Sequence, residues 1–168
     1  MSKALFVTRH DISVFTAANG NIDNDKLLPF LNQAQDIHIQ NILGTKLFNK
    51  INDGIVANNL VAPYTTLLTA YIKPMVIHYT MVEYLPFASY TFGNKGVYKH
   101  GSENGETISK EEMDSLIEKE RSLAQHYNER FVDYICFNSS LFPEYNSNTN
   151  GDMFPDRDVN LGGWYLWR

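Results

Sequence analysis

The sequence contains a single cysteine, Cys136, among its 168 residues. One cysteine cannot form a disulfide within the chain, and it cannot supply the several thiolates of a cysteine-based zinc site. This composition is typical of a protein that folds in a reducing compartment. Because Ile135 and Phe137 flank it, we expect Cys136 to be a small buried apolar side chain and not a nucleophile.

Basic residues are also scarce. The chain has 14 Lys and Arg against 19 Asp and Glu, which gives a formal net charge of −5. Proteins that grip nucleic acid normally present a basic surface, because neutralising phosphates supplies much of the affinity. The sequence has no run of Lys or Arg that could form one. Direct DNA or RNA binding is therefore not the predicted main function.

The sequence lacks a long uninterrupted apolar run. Its most apolar stretch, residues 67–85, contains Lys73, Pro74, His78 and Glu83. Charged residues are costly in a bilayer, so this stretch is predicted to be a buried helix and not a membrane span. The apolar part of the N-terminus is too short for a secretory signal. We expect a protein without membrane contact that is made in the cytosol and used there or inside an assembly.

Catalytic and metal-binding motifs are missing as well. None of the five histidines lies in an HExxH pattern, and His38 and His78 fall on apolar helix faces, where hydrogen-bonded core histidines are common. The Gly-rich stretch 93–105 lacks the spacing of a phosphate-binding loop. The acidic pattern within 152–160 lacks the central Gly and terminal Glu of a calcium loop. We therefore predict no catalytic residue, no cofactor and no metal ion.

The apolar residues that are present recur at helical spacing in the first half of the chain. Residues 24–43 form a first predicted helix, which Gly44 ends in a left-handed conformation. Residues 46–53 form a short second helix that Gly54 ends. Since a Gly-Thr step alone separates these helices, the chain is expected to turn sharply between them.

The third predicted helix, residues 63–85, is apolar nearly all round, which is typical of the central element of a core. Pro74 is expected to kink this helix because it removes a backbone donor, and Pro86 is expected to end it. The last predicted helix runs to about residue 138. It begins with a capping box in which Ser109 and Glu112 satisfy each other's backbone N–H groups.

Two segments have a different composition. Residues 88–106 are rich in Gly and polar residues and are predicted to form a β-hairpin or extended arm, with its turn near Gly93–Asn94. Residues 146–168 form a predicted extended tail. The predicted fold is therefore mainly α: a bundle of about four helices within residues 1–145, with the projecting arm inserted and the extended C-terminal tail attached.

Aromatic residues are abundant, at 13% of the chain, and three of them lie within the last five residues. Tyr and Trp are preferred interface anchors, so this tail either folds back on its own helices or docks into a groove of a neighbouring subunit. The predicted interface residues are Tyr90, Phe92, Val97, Tyr98, Phe142, Tyr145, Phe154, Trp164, Tyr165 and Trp167.

Four phrases in the sequence resemble a family of head–tail connector proteins from crAss-like bacteriophages and related prophages. They are AQDIHIQNILGTKLF (34–48), YIKPMVIHYTMVEYLPF (71–87), NKGVYKHGSEN (94–104) and RFVDYICFNSSLFPEY (130–145). The phrases are specific in combination, and the resemblance covers roughly residues 20–145. The C-terminal tail is not covered.

This resemblance implies a structural virion protein with no catalytic residues. It implies a helical body assembled into a cyclic homo-oligomer, a dodecamer, which stacks between the portal protein and neighbouring neck or tail rings around the DNA channel. The assembly would form in the host cytoplasm. The negative net charge agrees with a channel through which DNA slides without specific binding.

Two alternatives stay open. The chain could form another ring or adaptor of the neck or tail. In a different class, it could be a small helical metal-dependent hydrolase that uses His78, Glu83 or His100. The hydrolase requires these side chains to converge on one pocket.

Overall fold

The computed structural model of the chain describes residues 3–16, 24–93, 96–99, 108–147 and 153–157. The fold is mainly helical, as predicted, with one short antiparallel hairpin. The helices are α1 (Arg9–Phe15), α2 (Asn24–Ala34), α3 (Gln40–Val56), α4 (Tyr64–Leu67), α5 (Lys73–Ala88), α6 (Lys110–Phe137) and α7 (Pro143–Asn146), and the strands are β1 (Tyr90–Gly93) and β2 (Gly96–Lys99). Single π-helical turns, Gln35–Ile39 and Leu68–Ile72, join α2 to α3 and α4 to α5, and a 3₁₀ turn, Ser139–Leu141, precedes α7.

Helix α5 is the centre of the core, as its apolar composition predicts. It packs against α6 on one side and α2 on another. Its side chains Met75, Val76 and Ile77 are at most 1% exposed. Fully burying a side chain of this size contributes about 1.5–3 kcal/mol, so α5 fixes the positions of both neighbouring helices.

The two prolines of this central helix lie near its ends. A π-helical turn precedes Pro74, and the Lys73 N–H bonds the Leu68 carbonyl five residues back. Such a widened turn removes the need for the donor that proline lacks. The helix continues past Pro86 to Ala88, so the prediction that Pro86 ends it was wrong by two residues. A proline this close to the C-terminus disrupts few hydrogen bonds.

The predicted break at Gly44 is present as a kink inside α3. Gly44 has φ 72° and ψ 159°, a backbone conformation that favours glycine. Gly54 does not end the helix, which runs on to Val56. Gly54 instead is buried against Leu60, whose side chain occupies the space that a Cβ would take.

The capping box of α6 is confirmed. The Ser109 hydroxyl accepts from the Glu112 N–H at 3.2 Å, and the Glu112 carboxylate accepts from the Ser109 N–H at 2.9 Å. Near the other end of α6, the expectation for Cys136 was wrong, because its side chain is exposed. Ile135 faces the core at 0% exposure, and successive helical residues are rotated by about 100°, so the next side chain leaves the core.

The N-terminal segment is attached to α2 and α3 by side-chain amides. The Phe6 N–H donates to the Gln35 Oε1 at 2.8 Å, and the Gln35 Nε2 donates to the Ala4 carbonyl at 3.0 Å. The rings of Phe6 and Phe48 lie 5.0 Å apart. The buried side chain of Gln35 therefore bonds backbone groups of this segment that a neighbouring strand would otherwise satisfy.

Residues 153–157 pack on the α3 kink. The Thr45 N–H donates to the Met153 carbonyl at 3.0 Å, and the Asp156 N–H donates to the Asn41 carbonyl at 2.8 Å. Pro155 lies over Gly44, where a Cβ would approach its Cδ to 2.8 Å. This part of the predicted tail is therefore attached to the helical body.

Candidate assembly surfaces

The two strands after α5 confirm the predicted β-hairpin. Tyr90 pairs with Lys99, and Gly93 pairs with Gly96, so the strands are antiparallel; Asn94 of the predicted turn and residues 100–107 of the predicted arm lie outside the described residues. Among the described residues, the sheet has these two strands alone. A two-stranded hairpin is marginally stable by itself, and its outer edges can accept a further strand. The arm therefore presents backbone hydrogen-bonding groups in addition to side chains.

The base of the arm adjoins a cleft of about 260 Å³ between the end of α5 and the start of α6. Tyr90, which was predicted to lie at an interface, is 47% exposed and lines this cleft with Pro86 and Met113. An aromatic side chain that is half exposed beside a cleft can be buried further by a partner. Phe92, Val97 and Tyr98 lie on the two strands, and Phe92 pairs with Val97.

Other large apolar side chains are exposed around the C-terminal part of the body. Phe137 is 90% exposed and Leu141 is 47% exposed. Phe154, another predicted interface residue, is 59% exposed, and Met153 beside it is 41% exposed. These four exposed apolar side chains define the second candidate contact region.

Two predicted interface residues belong to the core, and that prediction is corrected here. Phe142 and Tyr145 are 0% and 1% exposed. The Phe142 ring lies 5.5 Å from Tyr64, and the Tyr145 ring lies 6.0 Å from Phe131. The 3₁₀ turn between α6 and α7 places both side chains in the core. They therefore have no free surface to offer a neighbour. Trp164, Tyr165 and Trp167 lie outside the described residues.

The two core histidines form carboxylate pairs on either side of α5. His38 Nε2 lies 2.8 Å from Glu83, and His78 Nδ1 lies 2.7 Å from Glu120. Each ring also stacks on a tyrosine: His38 on Tyr79 at 4.2 Å, and His78 on Tyr127 at 5.4 Å. These pairs connect α5 to the π turn after α2 and to α6. The sequence predicted hydrogen-bonded structural histidines at both positions, and these contacts agree with that prediction.

This pairing separates the residues that the hydrolase alternative requires. His78 and Glu83 are five positions apart on α5, about 140° around the helix axis, and each contacts a different neighbouring helix. His100 lies outside the described residues. Within the part of the chain that the structure describes, no group of three His, Cys, Asp or Glu residues is arranged to hold a metal ion. Of the calcium-like pattern, Asp156 is described, and its N–H is bonded to Asn41.

A polar groove of about 370 Å³ lies beside the His38–Glu83 pair. It is formed by four segments: the junction of α2 and α3, helix α5, helix α6, and residues 153–157. The Asn128 Oδ1 is buried there without a hydrogen-bond partner among the described residues. Burial raises the pKa of Tyr79 in the same groove, Asp156 raises it further, and Arg121 opposes them. Sequence reasoning missed this groove because its residues come from segments far apart in the chain.

Two further tyrosines have raised pKa values near α7. Burial, together with the 2.7 Å hydrogen bond to Glu144, raises the pKa of Tyr64 to about 12. Burial also raises the pKa of Tyr145 to about 12, against the opposing charge of Arg157, whose guanidinium lies 4.9 Å from the ring. Both tyrosines are therefore neutral structural groups at neutral pH.

None of the helices in the described ranges is both long and apolar enough to cross a membrane. A model of a protein family, described as a family of unknown function (DUF6712), matches residues 39–155, more than half of the chain. The match extends from the π turn before α3 to Pro155, so it includes most of the segment that packs on the kink. No curated protein and no solved structure matches the chain.

Proposed function

The chain belongs to the family of unknown function DUF6712, and we propose that it is a structural subunit of a head–tail connector ring in a tailed bacteriophage. The hairpin arm is the observation that carries this proposal. It follows α5 as a two-stranded antiparallel sheet. In a ring with head-to-tail contacts, every subunit needs two different complementary surfaces. The arm supplies one, and the exposed apolar residues of the body supply the other.

The arm has the properties of a segment that binds a neighbouring copy. Strand addition satisfies the backbone groups of an open sheet edge, while pockets for alternate side chains provide specificity. Tyr90, at the cleft between α5 and α6, is the side chain best placed to anchor such a contact. Phe92, Val97 and Tyr98 continue the proposed interface along the strands. Phe154 belongs to the proposed contact region of the body.

The charge of the body supports the proposed position around DNA. The first half of α6, residues 110–121, carries five acidic and three basic side chains, which gives a net charge of −2. A surface of net negative charge repels the phosphate backbone, so DNA can move past it without being held. The partners in this proposal are copies of the chain, the portal protein and the adjoining neck or tail ring. The proposed location is the virion neck.

The proposal is tested by the mass of the assembled protein. Light scattering and negative-stain microscopy should show a closed ring, either for the purified protein or after co-expression with the portal of the same phage. Tyr90→Asp should reduce ring formation, because it places a charge at the proposed contact. Leu116→Asp is the matched control, since Leu116 is also 47% exposed but lies on α6.

Three results would each be decisive. A ring that is lost in Tyr90→Asp and kept in Leu116→Asp supports both the ring and its arm contact. A ring that persists in Tyr90→Asp retains the connector but removes the arm from the interface. A monomer that neither self-associates nor joins the portal contradicts the proposed function.

A further inference from the structure

Residues 153–157, which we call the strap, fill a break in the hydrogen bonding of α3. In an uninterrupted α-helix the Thr45 N–H would donate to the Asn41 carbonyl, because each N–H bonds the carbonyl four residues before it. The kink interrupts this pattern. The Thr45 N–H donates instead to the Met153 carbonyl at 3.0 Å, and the Asn41 carbonyl accepts from the Asp156 N–H at 2.8 Å. The strap therefore satisfies both groups of the interrupted pair.

Two further contacts hold the ends of the strap. The Met153 N–H donates to the Thr45 hydroxyl at 3.0 Å, so both backbone groups of Met153 are bonded to one residue. The Arg157 guanidinium donates to the Asn146 Oδ1 at 2.9 Å and lies 4.9 Å from the centre of the Tyr145 ring. The first and last residues of the strap are therefore both fixed on the helical body.

The side chains of the strap lie in two different environments. Pro155 lies over the kink, where a Cβ on Gly44 would approach its Cδ to 2.8 Å. Met153 and Phe154, in contrast, are 41% and 59% exposed. Because the backbone on either side of Phe154 is held on the body, these two exposed apolar side chains occupy defined positions before any partner binds.

We propose that the strap and the α3 kink position Met153 and Phe154 for contact with the neighbouring subunit, so that Gly44 and Thr45 control assembly from outside the contact region. This inference rests on the connector function proposed above, in which these exposed side chains belong to the contact region of the body. A segment that is already rigid loses less conformational entropy when its partner binds. A held strap therefore favours assembly, and a released strap opposes it.

Positioning of this kind has a reciprocal consequence. If docking of the strap strengthens the contact between subunits, that contact must strengthen docking of the strap by the same factor. The N–H groups of Thr45 and Asp156 report on docking, because both lose their partners when the strap leaves the kink. Their hydrogen exchange should therefore be slower in the ring than in the free subunit.

Two substitutions of Thr45 in the full-length chain isolate the contribution of its hydroxyl. Thr45→Val removes the acceptor of the Met153 N–H and keeps the shape of the side chain, whereas Thr45→Ser keeps the acceptor. Thr45→Val should raise the exchange rates of the strap amides about fivefold for the loss of one hydrogen bond. It should also lower the fraction of subunits in rings, measured by light scattering. Thr45→Ser should resemble the unchanged chain in both measurements.

Gly44→Ala tests the kink itself. A Cβ at this position would displace Pro155, and φ of 72° is unfavourable for alanine. Gly54→Ala is the matched control, because its Cβ would crowd Leu60 in the same helix and not the strap. Exchange of the strap amides should rise and ring formation should fall in Gly44→Ala but not in Gly54→Ala. Circular dichroism checks folding, and the two Thr45 variants decide the question if Gly44→Ala does not fold.

The outcomes separate this inference from the connector function. Faster strap exchange with fewer rings in Thr45→Val, and neither change in Thr45→Ser, supports the proposal. Faster exchange with an unchanged fraction of rings would overturn the positioning role and leave the connector function intact. Unchanged exchange in both Thr45→Val and Gly44→Ala would show that the kink does not hold the strap. An unchanged chain that forms no ring, with or without the portal, would overturn the connector function and this inference together.

Discussion

At the scale of single residues, the histidine–carboxylate pairs on α5 decide how firmly its neighbours are attached. His78 is 7% exposed, and the Glu120 side chain that faces it is 19% exposed. A charged hydrogen bond in such a partly buried position contributes more than one in water, since removing one partner leaves the other unsatisfied. The Glu118–Arg121 pair on the same helix has side chains that are 65% and 55% exposed.

This contrast gives a matched prediction. Glu120→Ala should lower the free energy of unfolding by about 1–3 kcal/mol, because the buried imidazole of His78 loses its partner. Glu118→Ala should cost less than about 1 kcal/mol, since exposed ion pairs contribute little. The same exchange on the same helix cancels the difference in helix propensity. Urea denaturation of both variants measures the costs, and equal costs would show that the buried pair is not a stabilising contact.

The tyrosine hydroxyls near α7 provide a prediction on pH. Tyr64 has a pKa of about 12 in the folded chain against 10.0 as its ordinary value. The unfolded state therefore loses this proton first as pH rises, so the stability contributed by neutral Tyr64 is fully present below pH 10 and is lost between 10 and about 12. Tyr64→Phe should flatten this loss in urea denaturation measured across that range. An unchanged alkaline profile would contradict the assignment.

The same variant is informative at pH 7 when compared with Tyr145→Phe. Tyr64→Phe should cost about 1 kcal/mol, because Glu144 loses a donor. The Tyr145 hydroxyl is buried without a hydrogen-bond partner among the described residues, so Tyr145→Phe should be close to neutral. A larger cost for Tyr145→Phe than for Tyr64→Phe would show that the Tyr145 hydroxyl has a partner in solution.

At the scale of elements, helical periodicity and capping were sufficient to predict the main helices. The apolar circumference of residues 67–85 predicts a central helix, and the Ser109–Glu112 spacing predicts where α6 begins. Both signals depend on residues that are close in sequence, so they can be recognised without the structure. The ends at Gly54 and Pro86 were predicted wrongly because tertiary packing overrides local helix-ending preferences. Gly54 lies inside α3, and the close approach of Leu60 leaves no room for a Cβ there.

The candidate surfaces were predicted less completely, because exposure depends on where the chain folds back. The hairpin followed from composition, and Tyr90 and Phe154 are exposed as an interface requires. Phe142 and Tyr145 have the same aromatic character, but the turn after α6 places them in the core. No local pattern distinguishes the two cases. The contacts that do so join residues far apart in sequence.

At the scale of the whole molecule, residues 153–157 are part of the helical body. The Arg157 guanidinium donates to the Tyr145 carbonyl at 3.3 Å and to the Asn146 Oδ1 at 2.9 Å. Met153 and Asp156 complete the attachment through the α3 kink. The division between a helical domain ending at residue 145 and a separate tail therefore does not describe how residues 153–157 pack.

Two truncations separate the contributions of the attached and the terminal parts. A chain ending at Ser147 loses the two backbone hydrogen bonds to Asn41 and Thr45, so its free energy of unfolding should fall by about 1–3 kcal/mol at about 0.5–1.5 kcal/mol per hydrogen bond. A chain ending at Arg157 keeps these contacts and should lose less stability. Thermal and urea denaturation of the two chains give the comparison. Equal losses would mean that residues 153–157 add nothing to stability, whereas full stability in both would show that the helices alone hold the α3 kink in place.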